Sequence, residues 1–302
     1  MKHMNPELGL HGLGQDNPFQ WSYLTKQCQE VVRHLDRLIE VSWDKVPMRQ
    51  GGFDLNVDPK AKVPWKPGVN DLTPHDRAKL MDPSMRERIL EYKILQYGKD
   101  KKKSPVPVLD GVCNKIQSYQ VPLCRERAPK GTNYGWKAID LLGSTVYSLP
   151  LIVELKCDNV KDVKRTNETP LRMIVEAAAY GVALRKMWEA QKSPFKEEWR
   201  KERYFAFNEE WRKKYELKLQ DRSPLSCRLV GLAPATYWER AFGKLGKGGE
   251  APEGFWQEFK NLCEALESKG LPVTLASVRL DSENQIVGLD FVEPPVAKAI
   301  LL

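Results

Sequence analysis

The chain has few of the residues on which disulfide-bonded and zinc-dependent proteins rely. It contains six cysteines with no Cys-x-x-Cys pair among them, and four histidines without ligand-like spacing. The cysteines are Cys28, Cys113, Cys124, Cys157, Cys227 and Cys263, and the histidines are His3, His11, His34 and His75. Scattered cysteines favour reduced thiols over a disulfide framework. Neither a zinc site nor a His-based catalytic triad is therefore expected.

Long hydrophobic runs are also missing from the sequence. No apolar stretch approaches the roughly 20 residues of a membrane-spanning helix. Residues 1–10 lack the apolar core of a signal peptide. We therefore expect a cytoplasmic protein that has no membrane partner.

Acidic residues are outnumbered by basic ones. The 302 residues include 40 Asp and Glu against 48 Lys and Arg, so the net charge is +8. A surplus of this size suits a polyanionic partner such as nucleic acid, although ribosomal and membrane-surface proteins share it. The length is enough to bury a full core without requiring two domains.

Two opposite charges stand inside one of the most apolar segments. Residues 149–157 (LPLIVELKC) predict a buried strand, in which alternation places Glu154 and Lys156 on one face, about 7 Å apart along the strand. Burying an ion costs several kcal/mol unless it is paired or bound to a metal. The plain interpretation is an ion pair within a sheet, and the alternative is a functional site.

A second apolar run contains a single acid. Residues 136–142 (WKAIDLL) predict a strand that carries Asp140, and a Gly-Ser-Thr turn is expected at 143–145. A short turn would make this strand the neighbour of the one that carries Glu154. Two carboxylates and a lysine are then expected to lie close together.

A helix is predicted further along the chain. Thr169 suits the N-cap and Pro170 suits the first helical position. Arg172, Glu176 and Tyr180 follow at i, i+4 and i+8, so they form one polar stripe along an otherwise apolar helix.

The combination resembles the PD-(D/E)XK nuclease superfamily, in which an Asp on one strand is followed by Glu-x-Lys on the next. Here the pattern is Asp140 with Glu154 and Lys156, and the resemblance covers residues from about 115 to about 233. The Glu-x-x-x-Tyr of the helix is similar to the Gln-x-x-x-Tyr of RecB-type and lambda-exonuclease-like enzymes, with its first residue changed. The resemblance implies an α/β fold with a restriction-endonuclease-like core, a central mixed sheet flanked by helices.

The resemblance also implies a metal-dependent nuclease that cuts DNA in an exonuclease-like manner. Asp140, Glu154 and the main-chain carbonyl of Leu155 would hold Mg²⁺ or Mn²⁺, which take oxygen ligands. Lys156 would orient or deprotonate the attacking water, and the residues leave these two roles open.

Other catalytic and binding residues follow from the same resemblance. Glu176 would be a further catalytic acid, or it would only pair with Lys156 or Arg172. The implied substrate-binding residues are Tyr180, Arg172, Lys137 and Lys130. In the superfamily the helix before the sheet often carries an additional acid, which would be Glu91 or Glu87, and a solvated helix residue is the alternative. Some RecB-type nucleases hold an iron–sulfur cluster through three closely spaced late cysteines, and since Cys227 and Cys263 are the only late cysteines, no cluster is expected.

The motif resemblance, together with the pattern of apolar and turn residues, predicts two regions. Residues 1–110 are expected to form a helical extension and residues 111–302 the nuclease-like core. The core would contain a charged helical insert at 186–222. Near the C-terminal end of the core, a helix and a β-hairpin are expected. Expected helices span 19–41, 73–97 and 255–269, and expected strands span 118–123, 136–142, 146–157, 227–233, 273–280 and 286–292.

Several alternatives stay open at this stage. The basic, aromatic loop at 125–137 and the insert at 186–222 would contact nucleic acid, or they would be ordinary solvated surface. The C-terminal hairpin or the insert would offer a surface to a protein partner. The whole chain would be a DNA nuclease, an RNA-directed nuclease, or a catalytically silent module that binds nucleic acid or protein.

Overall fold

Six strands form a mixed sheet in which each strand lies beside its neighbours in the sequence. The computed structural model describes residues 9–10, 21–44, 86–100, 109–122, 138–146, 149–157, 169–191, 226–242, 253–282 and 286–293. The strands are β1 (Cys113–Pro122), β2 (Ala138–Thr145), β3 (Pro150–Leu155), β4 (Arg228–Pro234), β5 (Val273–Leu280) and β6 (Ile286–Phe291). The pairs β1–β2, β2–β3 and β5–β6 are antiparallel, whereas β3–β4 and β4–β5 are parallel.

Helices cover both faces of this sheet. They are α1 (Trp21–Arg33), α2 (Leu35–Asp44), α3 (Arg86–Asp100), α4 (Pro170–Gln191), α5 (Ala235–Ala241) and α6 (Glu253–Ser268). One buried core joins α1, α2, α4, α5 and α6 to one face of the sheet, and a second core joins α3 to the other face. The predicted α/β class with a mixed sheet flanked by helices is confirmed.

The helices of the predicted N-terminal extension are layers of this same structure. Leu24 of α1 and Leu38 of α2 belong to the core that also contains Ile152 of β3. Leu90 of α3 belongs to the core that contains Val153 on the opposite face of the same strand. Within the described residues, the sheet thus has its two faces covered by helices from both parts of the sequence.

Helix α4 connects the parallel strands β3 and β4 and lies against both of them. Thr169 caps it as predicted, since its Oγ1 accepts a hydrogen bond of 3.1 Å from the amide of Arg172. A glycine in β4 permits the close approach: a Cβ at Gly231 would lie 2.5 Å from Met173 Sδ and 2.9 Å from Ile174 Cδ1. Gly231 pairs with Glu154 of β3. This packing therefore sets the distance between α4 and the part of the sheet that carries Glu154.

We expect Gly231→Val to lower the free energy of unfolding by about 1–3 kcal/mol, the usual cost of inserting methyl groups into a packed interface. Gly254→Ala is the matched control, because nothing lies within 4 Å of its would-be Cβ in the first turn of α6. The control should raise stability by about 0.4–1 kcal/mol. Urea unfolding measures both, and a valine variant as stable as the wild type would contradict the close approach of α4.

The structure differs from the sequence expectation in two reversals of the chain. The predicted turn at 143–145 is wrong: those residues continue β2, because Gly143 and Ser144 pair with β3 on one side and β1 on the other. After Thr145 the chain returns antiparallel as β3, and the Thr145 amide donates to the Leu149 carbonyl at 2.9 Å.

The single helix predicted at 19–41 is instead two helices that meet at His34. The other predicted elements show smaller shifts. Strand β1 begins at Cys113 rather than at 118, and α4 continues to Gln191 through the first residues of the predicted insert. The hairpin of β5 and β6 and helix α6 lie where they were expected.

The loop at 125–137 with Lys130 and Lys137, the rest of the insert at 192–222 and the helix start near 73 lie outside the described residues. None of the helices in the described part has the length and apolarity that a bilayer crossing requires.

Candidate active site

Asp140 and Glu154 lie on adjacent strands at the same end of the β2–β3 hairpin. Leu141 pairs with Val153, which brings the preceding Asp140 to the end of β3. The amide of Leu155 donates a hydrogen bond of 2.8 Å to Asp140 Oδ2. Both carboxylates are buried, at 6% and 4% relative exposure. The backbone of β3 therefore holds the Asp140 side chain directly.

Lys156 is buried between two carboxylates on different elements. Its Nζ donates to Glu154 Oε1 at 2.7 Å and to Glu176 Oε2 of helix α4 at 2.8 Å. Its amide donates to the Leu232 carbonyl of β4 at 2.9 Å, so its backbone is part of the sheet. Lys156 is only 4% exposed, and ion pairs removed from water in this way interact strongly.

Arg172 extends this network along α4. Its Nε donates to Glu176 Oε1 at 2.8 Å, one helical turn away. Glu176 thus uses one oxygen for Lys156 and the other for Arg172. In the structure Glu176 pairs with both cations, and its role as a catalytic acid stays a prediction.

The surroundings shift the pKa values of three groups in the site. Burial, followed by the charge of Asp140, raises the pKa of Glu154 well above its usual value. Lys156 opposes this rise, whereas the charge of Glu176 and a side-chain hydrogen bond between the two glutamates add to it. Burial would also raise the pKa of Glu176, but Lys156 and Arg172 together lower it to about 2. Burial and the neighbouring carboxylates raise the pKa of Tyr180, so its phenol stays neutral.

A second group of acids approaches Asp140 from α3. Glu87 and Glu91 lie one turn apart on this helix, and one carboxylate oxygen from each lies within 4.8 Å of the other and of an Asp140 oxygen. Glu91 is fully buried. These acids also act on the Cys157 thiol. Burial, followed by the negative charges of the acids, raises the pKa of this thiol. Asp140 therefore lies near the acids of α3 as well as near Glu154 of β3.

The charge and hydrogen bonding of the site fit a divalent cation. Within the described part of the chain, the carboxyl groups of the site are those of Glu87, Glu91, Asp140, Glu154 and Glu176, and its cations are Lys156 and Arg172. Among the described residues, none donates a hydrogen bond to the buried Glu154 Oε2. A buried carboxylate oxygen without a donor costs free energy, and so does its closeness to a second carboxylate. A hard cation would relieve both costs.

The structure brings most of the sequence-predicted residues into one place. The junction of β2, β3 and α4 brings together Asp140, Glu154, Lys156, Glu176, Arg172 and Tyr180. From α3, Glu87 and Glu91 approach Asp140. The predicted substrate residues Lys130 and Lys137 lie outside the described part. Leu155 contributes its amide to the site, and the ligand role predicted for its carbonyl stays a prediction.

Sequence reasoning missed two contributors. The Leu155 amide was missed because a main-chain donor leaves no mark in the sequence. Cys157 was treated as the end of a strand, yet its thiol lies near the acids of α3. No local signal would have shown this, since α3 is far away in the sequence.

No family model, curated protein or solved structure matches the chain. The geometry of the site itself is therefore the basis for a function.

Proposed function

We propose that the protein is a divalent-metal-dependent nuclease that hydrolyses phosphodiester bonds in DNA. The observation that carries the proposal is the buried Glu154 Oε2 that lacks a donor within the described residues, next to Asp140 on the adjacent strand. A lysine two residues further along the same strand completes the arrangement. The motif resemblance supplies the reaction class, and the geometry supports it.

The order of elements supports a restriction-endonuclease-like core. Helix α3, strands β1 to β3, helix α4 and strand β4 follow one another, and β4 is parallel to β3. The core of the superfamily that the motif resembles has this order of a helix, three strands, a helix and a strand. Asp140, Glu154 and Glu176 fall on the second strand, third strand and following helix of that order.

Asp140 and Glu154 would hold Mg²⁺ or Mn²⁺, with Glu87 and Glu91 as further oxygen donors. Carboxylate oxygens on rigid elements are the donors that these ions prefer. When bound, such an ion polarises the phosphate and favours attack by water.

The remaining side chains have roles that follow from their positions. Lys156 presents a charged donor beside Glu154, where it orients the attacking water or stabilises negative charge on the phosphate. Arg172 is half-buried at the edge of the site, and its charge attracts the substrate. Tyr180 stays neutral and is suited to donate a hydrogen bond. The net charge of +8 favours a polyanionic substrate.

One observation favours a second function, a catalytically silent module that binds nucleic acid or a protein. Lys156 already forms short ion pairs with Glu154 and Glu176, and such a network can serve as a structural element alone.

Purified protein should degrade linear double-stranded DNA in the presence of Mg²⁺ or Mn²⁺, and EDTA should stop the reaction, because the carboxylates alone cannot activate water. A gel assay with linear, circular, single-stranded and RNA substrates measures this. Asp140→Asn should remove the activity, whereas the exposed Asp290→Asn should keep it. Metal binding without cleavage of any of these substrates would favour the silent module.

A further inference from the structure

Lys156 has two anchors that belong to different parts of the fold. Glu154 lies on the same strand, and Glu176 lies on α4, which packs onto that strand. Both distances are short, at 2.7 and 2.8 Å. A buried ammonium needs one carboxylate to balance its charge, so the second requires an explanation.

The first anchor conflicts with the metal role of Glu154. Its Oε1 accepts the hydrogen bond from Lys156, and a divalent cation on Oε2 of the same carboxylate would repel the ammonium and weaken that bond. When Glu154 binds the cation, its hold on Lys156 weakens, and retention of the ammonium in the site depends on its other partners, of which Glu176 is one.

Glu176 is placed to solve this conflict. Its position is fixed because Arg172 holds its other oxygen at 2.8 Å, and because α4 lies close to the sheet over Gly231. A metal ion bound to either oxygen of Glu176 would compete with a charge-assisted hydrogen bond that the oxygen already accepts, and such bonds are among the stronger ones in proteins. The position of Glu176 is suited to keeping the Lys156 ammonium in place through its Oε2.

We propose that Glu176 is a positioning residue that retains Lys156 when Glu154 binds a metal ion, and that Arg172 fixes Glu176 in the orientation this requires. The inference rests on the proposed metal-dependent function and assigns separate roles to the residues of the site. Asp140 and Glu154 receive the cation, while Glu176 and Arg172 keep the lysine beside it.

A double-mutant cycle on metal affinity tests the inference without measuring cleavage. Mn²⁺ is titrated calorimetrically into the metal-free wild type, Glu176→Gln, Lys156→Met and the double variant. In the wild-type background, Glu176→Gln should weaken Mn²⁺ binding about tenfold, since Lys156 then stays on Glu154. In the Lys156→Met background, the same change should weaken binding by no more than about twofold, because no ammonium competes.

Equal weakening in both backgrounds would overturn the inference, since it would mean that Glu176 acts on the ion directly. Failure of the wild type to bind Mn²⁺ would instead overturn the proposed function and the inference with it. The matched control is Glu264→Gln, which removes an exposed i,i+4 pair with Lys260 on α6 and should leave Mn²⁺ affinity unchanged. If Lys156→Met does not fold, Lys156→Gln takes its place in the cycle.

Discussion

Replacement of Asp140 by Asn together with Glu154 by Gln is expected to abolish both the stabilisation of the protein by Mn²⁺ and its cleavage of DNA. A ligand that binds only the folded state raises the free energy of unfolding by about 2.7 kcal/mol when its concentration is 100 times Kd. In the double variant this increase should fall to zero. The isosteric amides keep the shape of the site. The side-chain oxygen that remains after Asp140→Asn can still accept the hydrogen bond from the Leu155 amide.

The same double variant should be at least as stable as the wild type when no metal is present. It removes the repulsion between Asp140 and Glu154, which together with burial raises the pKa of Glu154. Lys156 keeps its ion pair with Glu176. Thermal unfolding with and without Mn²⁺ measures both effects, with Asp290→Asn as a surface control. A full metal-induced rise in the double variant would show that these two residues are not the ligands.

Lys156→Ala is expected to reduce the single-turnover rate of cleavage by at least about 100-fold, the usual scale for loss of a positioned acid–base or electrostatic group. It should also destabilise the metal-free protein by roughly 3–5 kcal/mol. The reason is that Glu154 and Glu176 would then face each other with no charge between them. Added Mn²⁺ should restore part of this stability, because it supplies positive charge to Glu154.

A second substitution separates the catalytic role of Lys156 from its structural role. Glu154→Gln in the Lys156→Ala background should recover much of the stability, because one of the two facing carboxylates is gone, but it should not recover cleavage. Urea unfolding and single-turnover assays on the same preparations give both quantities. A Lys156→Ala protein that is destabilised yet cleaves at the wild-type rate when folded would rule out a catalytic role for the lysine.

Local patterns were enough to predict the elements that carry the site. Strand β3 follows from the apolar run at 149–153, and the two-residue period of a strand places Glu154 and Lys156 on one face in any strand. Helix α4 follows from Thr169 and Pro170, because capping is a local interaction between a side chain and the next turn. The spacing of Arg172 and Glu176 likewise ensures contact within the helix.

Pairing with neighbouring strands overrode local preference elsewhere. Gly143 and Ser144 belong to residue types that favour turns, yet each is paired on both sides within the sheet. Hydrogen bonds to two strands outweigh a turn preference that is small for each residue. Strand β2 therefore continues through Thr145, and the chain returns as β3 from Pro150.

The motif resemblance was enough to predict an α/β chain with a mixed sheet, and the order of residues showed that charged residues interrupt its most apolar strand. Periodicity and capping act over a few residues, so they can be recognised without the fold. The approach of Glu87 and Glu91 to Asp140, and the binding of Lys156 by Glu176 while Arg172 holds that glutamate, became visible in the folded chain alone. These contacts depend on how α3 and α4 pack against opposite faces of the sheet, and packing is a property of distant residues brought together by burial.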